Sequence, residues 1–205
     1  MRRGIHHLGF ATRDYDATVE FYTKVIGWDI AWQDLIKAPD GSTLMKHVFF
    51  DTGDGSFVAF MEPRTGMPGV PESWDTGINA GLGLPQFVYH FAFWVDSLED
   101  LEQLQSDLRD RGATVSEIID HGWTSGIVVR DPNDLLLEFA CTTRELTEDD
   151  KILKPRGAPV TRGHEGRPEL RERDNQIILN LAADEAGGSA FDELQELQAG
   201  SVTDS

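Results

Sequence analysis

Two histidines and one glutamate in this chain could do chemistry together. His7 lies in IHHLGF, His90 in VYHFAFWVD and Glu138 in RDPNDLLLEF, each within a short apolar stretch that reads as a strand. Two imidazoles and one carboxylate make a facial donor set that leaves half an octahedron for water, substrate or oxygen. Zinc, iron, manganese, nickel and cobalt all accept such a set. His6 competes with His7, but strand alternation turns it to the helix side or to solvent, which ranks it below His7. Two further histidines, His121 in IIDHGWTSG and His47 in LMKHVFF, are candidates for moving a proton near neutral pH.

Residues 4 to 143 hold the elements that must bring these groups together, and they form a diverged internal repeat. Each copy opens with a histidine-bearing strand and continues into an amphipathic helix. In the first copy Asp14 or Asp16 caps a stretch with Val19, Phe21, Tyr22, Val25 and Ile26 on one face, and Gly27 ends it. In the second, Ser97 caps a stretch carrying Leu98, Leu101, Leu104 and Leu108, and Gly112 ends it. Strands close both copies, after the polar turns of DTGDGSFVAF and RDPNDLLLEF. Aligning the closing phenylalanines, Phe60 and Phe139, sets Ala59 opposite Glu138. The expected fold is α+β: two tandem βαβββ modules forming a cupped sheet around a metal site, followed by a C-terminal extension. Alternation places His7, Gly9 and Ala11 on one face and Leu8 and Phe10 beneath the helix; His90, Ala92 and Trp94 share a face, as do Leu136, Glu138 and Ala140.

The expected domain covers residues 1–143, with module one at about 4–62, a linker or lid at 63–86 and module two at about 87–143. The linker is rich in Gly and Pro and carries Trp74, Ile78 and Leu82, which a lid would lay over an apolar or aromatic substrate. Trp94 could line the same pocket. Phe49, Phe57, Phe91 and Phe93 are expected in the core, and Cys141, one residue off the Glu138 face, is structural. Residues 144–205 read as an acidic arm or tail, with an apolar patch at Ile177, Ile178, Leu179 and Leu181 and a short helix at 189–198.

The chain has 205 residues and a net charge of −18. That charge repels nucleic acid and anionic lipid alike, so neither is an expected partner. One cysteine permits no internal disulfide, and no stretch approaches the ~20 apolar residues that span a bilayer. A cytoplasmic protein with a small-molecule substrate is expected, and a homodimer is the expected assembly.

The tandem modules, His7 in HHLGF, the stretch FYTKVIGW, His90 in HFAFWVD and Glu138 in DPNDLLLEF resemble the vicinal oxygen chelate superfamily. It includes glyoxalase I, methylmalonyl-CoA epimerase, bleomycin-resistance proteins and type I extradiol dioxygenases. The resemblance implies a divalent metal held by His7, His90 and Glu138. Glyoxalase I and the epimerase place Glu or Gln where Ala59 stands, and alanine can neither bind metal nor take a proton. Three ligands with a fourth position open resemble the extradiol arrangement, which implies Fe(II) or Mn(II), with Zn, Ni or Co as alternatives, and a catechol-like or other small aromatic or apolar substrate beside Ala59. The extradiol acid–base His and Tyr fall close to Ser56 and Val128 and are missing; His121 lies close to another active-site His of that family, and His47 is a replacement base. Three activities follow in order: an extradiol-type dioxygenase, a glyoxalase-like isomerase, epimerase or lyase, and a bleomycin-resistance-like binding protein.

Overall fold

The structure is a computed structural model that describes residues 4–153 and 160–162. The expected apolar patch at 177–181 and helix at 189–198 lie outside the described residues.

Module one runs β1 (His7–Ala11), α1 (Tyr15–Glu20) continuing as a π-helical segment (Phe21–Ile26), β2 (Asp29–Lys37), β3 (Thr43–Asp51) and β4 (Phe57–Pro63). Its sheet has the order β1-β4-β3-β2. Asp14 is the N-cap, its side chain accepting from the Ala17 amide at 2.9 Å, and the helical stretch stops at Gly27, whose φ of 91° suits a residue without Cβ. After a linker containing α2 (Ile78–Leu82), module two runs β5 (Phe91–Trp94), α3 (Leu98–Asp110), β6 (Ile119–Asp120), β7 (Thr124–Arg130) and β8 (Leu136–Thr142). Ser97 caps α3, accepting from the Asp100 amide at 3.1 Å. A 3₁₀ turn (Glu148–Lys151) follows, and β9 (Val160–Thr161), from the C-terminal extension, adds to β6 to give the order β5-β8-β7-β6-β9. Among the described residues no helix is long and apolar enough to cross a membrane.

The two modules share one core. Tyr22, Phe50 and Phe60 of module one and Leu101, Leu108, Ile127 and Phe139 of module two belong to the same buried cluster. Phe10 meets Phe91 edge-on at 4.5 Å and Trp28 meets Phe93 at 4.9 Å, so Phe91 and Phe93 are core as expected. Pairing therefore buries the helix side of each sheet, because that side carries the aromatic and aliphatic residues whose removal from water drives association. The histidine side of each sheet looks outward.

A buried polar network fixes how the modules meet. The Tyr22 hydroxyl donates to Asp131 at 3.0 Å across the boundary, and Asn133 donates to Thr18 at 3.1 Å. Burial is the main cause that raises both the Asp131 carboxyl and the Tyr22 hydroxyl above their ordinary pKa ranges, and the neighbouring Asp131 raises Tyr22 further. Cys141 is buried and free, in keeping with a packing role.

Candidate functional site

Strand register defines the outward face of module one as three rows. His7, Phe57 and Asp51 lie in register, then Gly9, Ala59, Phe49 and Trp32, then Ala11, Met61, His47 and Asp34. Module two repeats the pattern, with Ala92, Glu138 and Val128 in register and Trp94, Ala140 and Gly126 in the next row. Gly9–Ala59 therefore corresponds to Ala92–Glu138, and His7 to His90, each two residues earlier on the chain. Ala59 occupies in one module the place Glu138 occupies in the other, as the alignment of closing phenylalanines predicts.

The module-two half is built around a pair. His90 Nε2 lies 3.3 Å from Glu138 Oε2, and His90 Nδ1 lies 3.1 Å from the Phe87 carbonyl oxygen. That carbonyl can only accept, so the bond to it puts the ring proton on Nδ1 and turns the Nε2 lone pair toward the carboxylate. Two acceptors at 3.3 Å attract only across a positive charge between them, a proton or a metal ion. Two donors bound at about 2.1 Å to one ion stand roughly 3 Å apart, so the pair suits a shared metal. The Nδ1–H···O=C bond is the outer hydrogen bond that usually orients a ligating imidazole. Room for the carboxylate comes from Gly126: a Cβ there would stand 2.5 Å from Glu138 Oε1. Sequence reasoning missed Gly126, since nothing local in TSGIVVR marks it.

The module-one half carries His7, exposed at the head of β1, its ring 5.4 Å from Phe49 and its Nδ1 2.9 Å from Nδ1 of His6. The row continues to His47, 4.6 Å from the same Phe49 ring and 3.3 Å from Asp34 Oδ1. His47 thus has a carboxylate to orient it, the arrangement a general base needs. Phe49 and Phe57, expected in the core, face outward here, because residues at odd positions of β3 and β4 alternate away from Val48, Phe50, Val58 and Phe60. Trp32, 61% exposed, completes the row. It was missed because its facing depends on a bulge: Ile30 pairs with Phe50 but Trp32 pairs with Phe49, so one extra residue, Ala31, flips Trp32 from the core side to the outward side. The three rows carry no Lys or Arg.

Within one chain the halves stay apart. Among the described residues no group of three His, Cys, Asp or Glu side chains stands close enough to hold an ion, so His7 does not join His90 and Glu138 in the single chain. His121 is exposed in the turn after β6, its amide bonded to the Thr124 carbonyl. Thr124 lies four residues along β7 from Val128, the partner of Glu138, about 13 Å at ~3.3 Å per residue; the structure does not bring His121 to Glu138. Trp94 is 75% exposed on the Glu138 face. Trp74 lies instead at the end of β1, its carbonyl accepting from Arg13 at 3.1 Å and its ring beneath the same guanidinium. Ile78 packs against the core, so α2 does not lay it over the outward face as a lid would.

A family model described as the Glyoxalase/Bleomycin resistance protein/Dioxygenase superfamily matches residues 4–139. A comparison with the curated proteins finds no match. Among solved structures, a glyoxylase/bleomycin resistance protein/dioxygenase domain from Frankia sp. EAN1pec is 20% identical with a TM-score of 0.51, covering 69% of this chain and 99% of its own. A glyoxalase/bleomycin resistance protein/dioxygenase from Nocardioides is 22% identical with a TM-score of 0.48, covering 72% and 91% respectively. At these identities the first likeness supports the fold.

Proposed function

Because the chain belongs to the glyoxalase/bleomycin resistance protein/dioxygenase superfamily, we propose that it is a metal-dependent enzyme whose ion is held by His7, His90 and Glu138, and that it acts as an extradiol-type dioxygenase on a small aromatic substrate with adjacent oxygens. The observation that carries this reading is the His90–Glu138 pair, whose nitrogen and oxygen face each other at 3.3 Å, close to the separation of two ligands on one ion. Fe(II) or Mn(II) suits the two-histidine, one-carboxylate set. When bound, such an ion would supply Lewis acidity toward adjacent substrate oxygens and, as iron, a relay for electrons from the substrate to dioxygen.

The outward faces of one chain each carry part of the donor set, so the third ligand comes from a second copy laid face to face, His7 of one copy meeting the His90–Glu138 pair of the other. This supports the expected homodimer. Ala59 contributes space. Phe49 and Trp32 flank a flat ring, with Trp94 on the facing half, and the absence of Lys and Arg from the three rows favours a neutral ring over an anionic ester. His47, oriented by Asp34, takes the proton from a substrate hydroxyl; its surroundings make it the stronger acid–base candidate, ahead of His121.

The test is metal content of protein purified without oxygen, followed by oxygen consumption with catechols. Iron near one per chain with catechol-dependent uptake is expected. Zinc, nickel or cobalt with no uptake would replace the dioxygenase by isomerase, epimerase or lyase chemistry, and absence of any bound metal would leave a ligand-binding protein. Mixing His7→Ala chains with Glu138→Ala chains should restore one intact site per mixed dimer, and no recovery would refute the shared site.

A further inference from the structure

We propose that Asn79, in the linker between the modules, is a positioning residue that sets the His90 ring, so that the linker works as a clip on a metal ligand. The inference rests on the assignment of His90 as a ligand. Asn79 is 2% exposed, and its side chain makes three hydrogen bonds within the next ten residues. Its Nδ2 donates to the Gln86 carbonyl at 2.7 Å and to the Tyr89 carbonyl at 2.7 Å, and its Oδ1 accepts from the Tyr89 amide at 2.8 Å. Both donors and the acceptor of the amide are used, and all go to backbone. They close the loop 86–89, which presents the Phe87 carbonyl and leads directly into His90.

The clip is itself seated on the turn that precedes β8, the strand of Glu138. Gly77, just before α2, lies so near Asp134 that a Cβ would stand 2.6 Å from Asp134 Oδ2, and Gln86 Nε2 donates to the same oxygen at 3.4 Å. Asp134 is in turn paired with Arg130 on β7. One end of the clip therefore rests on the β7–β8 turn and the other holds the Phe87 carbonyl against His90 Nδ1 at 3.1 Å. Both ligands of this half take their positions from the same turn: Glu138 through β8, and His90 through Asn79. Without Asn79 the loop loses its closure, the Phe87 carbonyl drifts, and the imidazole is free to carry its proton on Nε2, the nitrogen that must be bare to bind metal.

The experiment reads the ring directly. Long-range ¹H–¹⁵N spectra of the metal-free full chain report which imidazole nitrogen carries the proton. His90 in the wild type should carry a proton on Nδ1, and Asn79→Ala should show a mixture with a form in which Nδ1 is bare and Nε2 carries the proton. Cobalt(II) titration of the same two proteins should show a dissociation constant raised about 10–100-fold in Asn79→Ala, with the stoichiometry unchanged. A folded Asn79→Ala protein with the wild-type tautomer and wild-type cobalt affinity would overturn the proposal. If Asn79→Ala does not fold, the wild-type spectrum decides: a protonated Nδ1 supports the clip and a bare Nδ1 overturns it. A wild type that binds no cobalt yet holds His90 as Nδ1–H, with the mixture in Asn79→Ala, would overturn the metal reading while supporting the clip.

Discussion

Adding a single methyl group at Gly126 should displace the Glu138 carboxylate, the proposed metal ligand, while leaving the fold in place. A Cβ there would stand 2.5 Å from Glu138 Oε1, 3.2 Å from Glu138 Cγ and 3.2 Å from the Phe139 carbonyl oxygen. Ordinary contact needs the carboxylate to withdraw by about 0.5–1 Å. Metal–donor distances tolerate only about 0.2 Å, so the withdrawal takes Oε1 or its neighbour out of bonding range or forces another rotamer. The backbone at Gly126 has no positive φ, so alanine adds no strain of its own there. In the unfolded chain the substitution is worth about 0.4–1 kcal/mol in favour of folding, which offsets part of the packing cost. The metal-free Gly126→Ala protein should therefore melt close to the wild type. Its cobalt dissociation constant should rise about 10–100-fold, equivalent to roughly 1.4–2.7 kcal/mol, and the metal-induced rise in Tm should shrink to match. The assay is a chelator-competition titration paired with melts at several cobalt concentrations, with Glu138→Gln as the variant that loses the site. Wild-type affinity and stoichiometry in a folded Gly126→Ala protein would refute the placement of the Glu138 carboxylate against Gly126, and with it the half-site.

Trp32→Ala should raise the KM for catechol by about 3–10-fold, the loss of one aromatic contact of about 0.7–1.4 kcal/mol, with metal content unchanged; equal KM values would remove Trp32 from the substrate face. For Asp131 the sign runs with acid: burial holds its folded pKa above the ordinary 3.8, so the stability contributed by its proton is full below that value and is lost as pH rises through the folded one. Urea melts of wild type and Asp131→Asn between pH 4 and pH 7 should show the wild type losing ground to the variant as pH rises, and a difference moving the other way would contradict the burial of this carboxyl.

Much of the fold can be read from local sequence. Asp14 and Ser97 as caps, Gly27 and Gly112 as stops, and the alternation of His7, Gly9 and Ala11 against Leu8 and Phe10 all depend on spacing within a few residues, and the structure has each of them in its expected place. The correspondence of Ala59 with Glu138 was also legible, because the repeat preserves register. What escaped depends on partners distant in the chain. The bulge at Ala31 has no Gly or Pro to announce it, and it alone decides where Trp32 points. The bond between His47 and Asp34 exists only because β2 and β3 pair in that register. The five residues of α2 are too few to show a helical period, so Asn79 and the anchored linker read as a loose lid. The side by which the modules meet was equally hidden, because alternation gives each sheet two faces without saying which one a neighbouring module will cover.

The bulge also makes the pairing register of β2 decide which of its residues face outward. Were Ala31 drawn into the ladder opposite Phe49, Trp32 would turn toward Val48 and the core while Gln33 and Leu35 came round to the outward face in place of Trp32 and Asp34. That shift of register would take the exposed tryptophan off the face and leave His47 without its carboxylate, with no residue changed. Two chains with the same residues on β2 could then present different outward surfaces through pairing register alone, a difference that comparison by substitutions would not register.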